Sequence, residues 1–362
     1  MQNIAPALLG WFYQNKRLLP FRTDPSPYHV WLSEIMLQQT RVSAALPYYE
    51  RFLASLPTIA DLAACPEEQL HKLWEGLGYY SRVRNLQKAA RIVCEQYGGQ
   101  LPADYDALRA LPGIGEYTAG AIASISFGIP VPAVDGNVLR VFARLYNDDG
   151  NIMDPAVKRR FTQWVVEHQP KDAPGAYNEA LMELGALVCV PNGAPLCDRC
   201  PLAELCAARQ AGTQLSLPVK TKPKPRRVDE VTVALVRSPD GWLLQRRPDS
   251  GLLAGLWQPV LWEGERLTAA QTIDRLGELG VQLAVPYSLR AADTAAQPLA
   301  AAKHIFSHVE WHMAGWQLDA ARQSVPEGFV WADAQQLQTE YTLPGAFKAY
   351  RKQMLTAEAE TE

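Results

Sequence analysis

The ten residues Leu111-Pro112-Gly113-Ile114-Gly115-Glu116-Tyr117-Thr118-Ala119-Gly120 set the architecture of the first part of the chain. Gly113 and Gly115 flank one apolar residue and permit a tight hairpin, and helical patterns lie on either side at 104–109 and 117–127. The unit reads as helix-hairpin-helix. Its backbone N–H groups, at the start of the second helix, can cradle a phosphate without a charged side chain. Five residues alone also suit a hairpin that serves packing only. Twenty residues past Gly115, Val134-Asp135-Gly136-Asn137-Val138 leads into an apolar helical run through Val141, Phe142 and Leu145. Asp135 is thereby placed at a helix N-cap, which by itself is an ordinary capping role.

Working outward, residues 4–208 are helical in pattern, in segments divided by Pro, Gly and capping residues, with no strand expected. The run Leu215-Ser216-Leu217-Pro218-Val219-Lys220-Thr221-Lys222-Pro223-Lys224-Pro225-Arg226-Arg227-Val228 holds three prolines and five basic residues and reads as a linker over 213–228. A solvated tether and a DNA-grazing one suit it equally. Beyond it the period becomes two. Val231-Thr232-Val233-Ala234-Leu235-Val236, the turn Ser238-Pro239-Asp240-Gly241 and Trp242-Leu243-Leu244-Gln245-Arg246 form strand, turn and strand. A helix is expected over 269–279, a strand over 304–318 and a closing helix over 347–355, giving an α+β module at 229–362.

A chain of 362 residues with 48% hydrophobic content suits two domains better than one core. Its net charge of −3 gives no overall pull toward nucleic acid, so any nucleic-acid contact would have to come from local basic patches and backbone amides. The N-terminal residues lack a basic stretch followed by an apolar run, and no segment approaches the roughly 20 apolar residues of a membrane helix. A cytoplasmic protein is expected.

Of six cysteines, Cys65 and Cys94 stand alone in apolar helical surroundings and read as inert thiols. The other four follow the pattern Cys189-x7-Cys197-x2-Cys200-x5-Cys206 and read as metal ligands. On the residues alone, Cys-x2-Cys suits zinc as well as an iron-sulfur cluster.

The hairpin, the Asp at its distance and the four cysteines together resemble the helix-hairpin-helix glycosylase superfamily typified by endonuclease III. That resemblance implies an all-α glycosylase domain over 1–212. It also implies a four-iron four-sulfur loop over 189–206 and an Asp135 standing beside the anomeric carbon of a flipped nucleotide. The first cysteine gap is one residue longer than the superfamily's usual six. The extra residue falls in Val190-Pro191-Asn192-Gly193-Ala194-Pro195-Leu196, a turn-rich stretch able to absorb it. Bifunctional members carry a lysine nucleophile where this chain has Tyr117. Its absence argues for base removal without strand cleavage, by water or through a transient Asp135 adduct.

Trp31-Leu32-Ser33-Glu34-Ile35-Met36-Leu37-Gln38-Gln39-Thr40 closely resembles the adenine DNA glycosylase (MutY) family. Adenine leaves poorly until protonated, so this resemblance makes Glu34 the acid for the base and Asp135 the carboxylate for the sugar cation. Without the match, Glu34 would read as a solvated helix carboxylate. Arg22 in Leu19-Pro20-Phe21-Arg22 and Glu179 in Asn178-Glu179-Ala180-Leu181-Met182-Glu183-Leu184-Gly185 are implied to line the adenine pocket. Asn137 is implied to orient Asp135, with Tyr117 hydrogen-bonding nearby; on the residues alone, either also suits a satisfied polar group at a helix start. Gln39 and Tyr79 resemble residues that wedge into the base stack, with Thr40 and Leu77 touching the opposite base.

The second domain resembles a Nudix fold, yet Ile273-Asp274-Arg275-Leu276-Gly277-Glu278-Leu279-Gly280 lacks the paired glutamates that hold divalent cations, so nucleotide hydrolysis is not expected. In the family this domain recognises 8-oxoguanine, and Phe306-Ser307-His308 matches its lesion-reading loop. The expected substrate is duplex DNA carrying adenine opposite 8-oxoguanine or guanine, held by Gly113 and Gly115 among others. The protein is expected to be a monomer, with no membrane partner and nucleoid-associated when bound. Two rivals are an endonuclease III-like glycosylase/lyase and a non-catalytic lesion-binding protein; the presence of both carboxylates speaks against the latter.

Overall fold

The structure, a computed structural model, describes residues 2–221, 224–284 and 296–356. The chain forms two compact units: Met1–Ala64 with Arg84–Pro223, and Cys65–Val83 with Lys224–Glu362. Among the described residues, no helix is long and apolar enough to cross a membrane.

The first unit is helical throughout. The helices Ala5–Asn15, Gly136–Leu145, Pro155–His168 and Pro174–Leu187 close around a core that includes Leu8, Phe12, Phe142, Phe161, Tyr177 and Leu181. Two further helices carry site residues and are buried almost all round. The helix Pro27–Leu37 starts at Ser26, whose hydroxyl accepts from the His29 N–H at 3.3 Å, with Pro27 at its first position. Every residue from Val30 to Met36 is buried. Fully burying Trp31, Leu32 or Met36 is worth about 1.5–3 kcal/mol each, which offsets the cost of carrying the Glu34 carboxyl inside with them.

The helix Glu116–Phe127 follows the predicted hairpin, where Gly113 has φ +78. Asn85 leaves no room there for a Cβ, which would stand 2.8 Å from the Asn85 Cβ. Residues Thr118 to Ser124 of this helix are all buried. At Gly120 a Cβ would stand 2.1 Å from the Pro132 carbonyl oxygen, so only glycine lets the extended segment before Asp135 lie this close.

The stretch expected as a linker is only partly a tether. Leu217 is buried, its carbonyl accepts from Arg144 Nε at 3.0 Å, and the Val219 carbonyl accepts from the Ile152 N–H at 3.0 Å. The prolines do not prevent packing because backbone carbonyls, which proline keeps, make the contacts. At the other end, β1 (Arg227–Ser238) already includes the last two residues of that stretch.

The second unit contains a seven-stranded mixed sheet. After β1 come β2 (Gly241–Arg246), β3 (Trp257–Glu263), β4 (Ala296–Pro298), β5 (Ala302–Ile305), β6 (Val309–Asp319) and β7 (Phe329–Ala332). The order is β4-β6-β1-β3-β2-β7, with β5 also paired to β6. β1 and β2 form the expected hairpin, pairing Arg237 with Trp242, while β1 and β6 run parallel from Arg227↔Val309 to Arg237↔Asp319. β1 is buried on both faces. Val231, Val233 and Leu235 meet Trp311, Met313 and Phe347 on one side. Ala234 and Val236 meet Ile273 and Leu276 of the helix Ala269–Glu278 on the other. Asp274 and Glu278 are that helix's only carboxylates.

The single strand expected over 304–318 is two. β5 and β6 pair antiparallel, His304 with Trp311 and Ile305 with Glu310, and the chain reverses where the Phe306 N–H bonds the Val309 carbonyl at 2.8 Å. Phe306-Ser307-His308 is therefore the tip of a hairpin, which alternation alone does not reveal because both arms keep the same period.

Candidate active site

Glu34 lies on the inner face of its helix and is 9% exposed. Tyr117, the second residue of the helix after the hairpin, donates its hydroxyl to Glu34 Oε2 at 2.6 Å, and Met182 Sδ lies 3.0 Å from the same hydroxyl. Burial raises the Glu34 carboxyl to about 7. The Tyr117 bond and Arg22 oppose the rise, whereas the nearby Asp135 and Glu179 charges add to it. Glu34 is thus poised to hold a proton near neutrality.

Asp135 caps the helix Gly136–Leu145, accepting the Val138 N–H on Oδ1 at 2.8 Å. Its other oxygen accepts from Asn137 Nδ2 at 2.6 Å. Burial pushes Asp135 up; the Val138 and Asn137 bonds and the Arg140 charge hold it down. Asn137 is fixed in turn by Arg140 Nη2, 2.8 Å from Asn137 Oδ1. The same guanidinium also donates to the Gly185 carbonyl at 2.8 Å and the Cys189 carbonyl at 2.8 Å.

Both carboxylates open into a cavity of about 760 Å³ lined by Arg22, Thr40, Tyr117, Asn137, Glu179 and Met182, among others. A second cleft, of about 790 Å³, also reaches Glu34, Tyr117 and Asp135, and is lined by Gln39, Gly115, Gly136 and Lys158. The carboxyl pair therefore faces both the Arg22–Glu179 cavity and the hairpin side. Arg22 Nε bonds Glu179 Oε1 at 2.8 Å and its Nη2 bonds Glu183 Oε2 at 3.0 Å. Arg17 completes the network, with Nε and Nη2 on Glu183 at 2.8 and 2.7 Å. Burial raises Glu183, but the two guanidinium partners outweigh it and bring it to about 2. Burial also raises Glu179, against the pull of Arg22.

Sequence reasoning singled out Glu179 and Arg22 and passed over Glu183, Arg17 and Arg140. The signal for Glu183 was present: it lies one helical turn after Glu179 in the same quoted string. Asn178 was also passed over. Fully buried, it bonds the Ala133 N–H at 3.2 Å and the Val131 carbonyl at 2.9 Å, fixing the segment that delivers Asp135.

Gln39 and Tyr79 share a backbone feature. Both have positive φ, 60° and 49°, as do only Asn147 and Leu253 among the other described non-glycine residues. Such strain outside glycine marks positions where side-chain direction outweighs backbone preference. Tyr79, Leu77, Phe306, Ser307 and His308 all belong to the second unit. There the Tyr79 hydroxyl lies 3.1 Å from Ser307 Oγ, Phe306 packs edge-on to Trp311, and the His308 carbonyl accepts the Arg227 N–H at 3.2 Å. Leu77 is buried, whereas Tyr79 is 48% exposed.

The four clustered cysteines are free thiols, each half-buried. They are close enough for Cys189, Cys197 and Cys206 each to act electrostatically on Cys200. Arg144 Nη1 lies 3.3 Å from Cys189 Sγ, and Cys206 Sγ donates to the Arg144 carbonyl at 3.4 Å. The extra residue of the first gap is taken up in a loop that turns at Gly193, φ +75, and closes with the Leu196 N–H on the Val188 carbonyl at 2.9 Å. Among the described residues, no group of three His, Cys, Asp or Glu side chains is arranged to hold a metal ion.

Residues 32–167 match the HhH-GPD superfamily of base excision DNA repair proteins, and residues 232–353 match the NUDIX domain. Among solved structures, a thermostable thymine-DNA glycosylase is similar to this chain with a TM-score of 0.51 and 27% identity, covering 57% of this chain and 94% of its own. The adenine DNA glycosylase of Rattus norvegicus is 36% identical, over 84% of this chain and 68% of the rat protein. That of Homo sapiens is 34% identical, over 95% of this chain and 73% of the human protein. At that likeness the chain belongs to the adenine DNA glycosylase family, and it removes adenine from DNA in base-excision repair.

Proposed function

We propose that the adenine removed is one mispaired with 8-oxoguanine or, less well, with guanine, and that its N-glycosidic bond is hydrolysed to leave an abasic site. The observation that carries the hydrolysis is the pair of carboxylates on one cavity, Glu34 buried and held near neutrality and Asp135 half-buried and capped by fixed donors; the choice of opposite base rests on the likeness of Phe306-Ser307-His308 to the family's lesion-reading loop. Glu34 gives its proton to the adenine ring, which turns the base into a neutral leaving group. As the bond breaks, the sugar takes on oxocarbenium character, and the Asp135 carboxylate, fixed by Val138 and Asn137, stabilises that charge. Water then adds at the anomeric carbon and loses a proton. Tyr117 stands where a lyase would carry its lysine, so no Schiff base forms and the strand stays intact. Arg22 and Glu179 line the pocket for the base, Gln39 and Tyr79 enter the stack, and Gly113 and Gly115 present amides to the backbone phosphate.

Cys189, Cys197, Cys200 and Cys206 would hold the four-iron four-sulfur cluster of the superfamily. Four thiols within electrostatic reach of one another, with the Arg144 guanidinium beside Cys189, suit an anionic all-thiolate group, and the superfamily likeness favours the cluster over zinc. Bound there, the cluster supplies metal-thiolate bonds that staple the loop after the helix Pro174–Leu187. A monomer in the cytoplasm, associated with nucleoid DNA when bound, suits this activity.

Single-turnover cleavage of duplexes carrying A:8-oxoguanine, A:G, an oxidised pyrimidine or T:A, with and without alkali, tests the reading. Adenine release opposite 8-oxoguanine, with nicking only after alkali, is expected. Nicking without alkali would establish the lyase chemistry instead, and tight binding without release a lesion sensor. Glu34→Gln and Asp135→Asn are each expected to lose most turnover while keeping lesion binding; near-normal rates in either would remove that residue from the mechanism.

A further inference from the structure

The segment Cys65–Val83 lies in the same compact unit as the C-terminal module, and its attachment is built from charge. It holds the helix Glu67–Trp74, a turn that carries Tyr79, and the first residues of the helix Ser81–Tyr97. Glu75, the residue that ends the helix, receives the Arg351 guanidinium through two contacts, 2.7 Å on Oε1 and 3.3 Å on Oε2. Lys72 lies 3.0 Å from the same carboxylate. Its ammonium also donates to the Leu337 carbonyl at 2.9 Å and the Tyr341 carbonyl at 3.5 Å, around the end of the helix Ala334–Thr339, where carbonyls lack helical partners. All three side chains are largely withdrawn from water, at 17% exposure for Lys72, 13% for Glu75 and 29% for Arg351. Nearby, Trp257 Nε1 donates to Glu68 at 3.1 Å.

The position of this network gives it meaning. Gly76, with φ +103, follows Glu75 directly and opens the turn. The turn is closed by Trp74 Nε1 on the Gly78 carbonyl at 3.0 Å, and by Arg82 Nη2 on the Leu77 and Gly78 carbonyls at 3.0 and 3.1 Å. At its tip Tyr79 reaches Ser307, on the hairpin between β5 and β6. The turn is thus held at its base by Glu75 and at its tip by Ser307, and both holds come from the C-terminal module. A partly buried ionic network adds little net stability over apolar packing, but it does fix one geometry.

We propose that Lys72, Glu75 and Arg351 are positioning residues, an ionic clamp through which the C-terminal module sets the Tyr79 turn for lesion discrimination, leaving the glycosidic chemistry untouched. The proposal rests on the lesion reading given above. Its test compares Glu75→Gln, Arg351→Gln, the double variant and Arg351→Lys in the full chain. Two quantities are measured: the ratio of single-turnover rates on A:8-oxoguanine and A:G, and hydrogen exchange across residues 76–80.

Each Gln variant is expected to lower the ratio roughly fivefold or more, the low end of ordinary coupling energies. The rate on A:G should stay near that of the parent protein, and the double variant should fall no further than either single one. Arg351→Lys, which keeps the charge but not the fork, should retain part of the preference. An unchanged ratio in both single variants, or losses that multiply in the double variant, would overturn the clamp. A parent protein without preference for 8-oxoguanine would instead sink the lesion reading, and exchange would then decide: faster exchange over 76–80 in the Gln variants supports the clamp, and unchanged exchange refutes it.

Discussion

Glu34 is held where it destabilises the fold. Its rise from 4.5 to about 7 means that between these values the folded protein binds more protons than the unfolded chain, so stability falls as pH rises through that window. At about 1.4 kcal/mol per unit, the full penalty above pH 7 is on the order of 3 kcal/mol. Glu34→Gln, beyond its expected loss of turnover, is therefore expected to be more stable than the parent near pH 8 and little changed near pH 5. Urea unfolding at the two pH values checks this; an equal gain at both would show that burial of charge is not the cause. The same values shape the rate. Turnover should decline as pH rises through about 7, where Glu34 loses its proton, and decline again in acid, where Asp135, itself raised by burial, takes one up. Glu183 behaves oppositely. Its stabilisation is present above the ordinary carboxylate value and lost as pH falls through about 2. Glu183→Gln leaves Arg22 and Arg17 short of a counter-charge, at an expected cost of roughly 2–4 kcal/mol, discounted because Arg17 is about a third exposed. Melting curves read that cost, and weaker adenine-substrate binding should accompany it.

At the scale of elements, the hairpin and the Asp135 helix were legible in the sequence because glycine spacing and an N-cap are local signals. The packing that places them was not. Nothing local announces that Gly120 must face the Pro132 carbonyl. Gly120→Ala is expected to cost about 1–3 kcal/mol and, by moving the segment that delivers Asp135, to slow base release more than it weakens DNA binding. A melting temperature within a degree of the parent would contradict the close approach. The strand expected over 304–318 failed for the complementary reason. A hairpin whose arms keep the same alternation carries no break in period, and only the Phe306–Val309 bond marks the reversal. Glu183 and Arg140 were missed because their partners, Arg17 and the Cys189 carbonyl, lie far away along the chain.

For the whole molecule, composition predicted two units, and pattern placed their border near the basic, proline-rich stretch. That Cys65–Val83 groups with the C-terminal module was not legible, since its helix and turn look like those on either side. One consequence is that cutting the chain after residue 221 separates the segment 65–83 from the residues it is grouped with. Such a truncation takes away the Leu337 and Tyr341 carbonyls on Lys72, Arg351 on Glu75 and Trp257 on Glu68, and leaves the Lys72–Glu75 pair. It is expected to lower the melting temperature of the remaining part and to speed hydrogen exchange selectively over 65–83. Unchanged exchange there would show that the segment stands without those contacts.

The left-handed backbone at Gln39 and Tyr79 also limits how these sites can vary over generations. A β-branched residue is penalised there by its own main chain before any base is met, by roughly 1–2 kcal/mol. In a saturation library selected only for abundance in cells, Val, Ile and Thr should be depleted at positions 39 and 79, while Gly and Asn persist. Selected instead for mutation avoidance, Gly and Asn should vanish from position 79 as well. The gap between the two selections would measure what the aromatic ring contributes beyond its tolerated backbone.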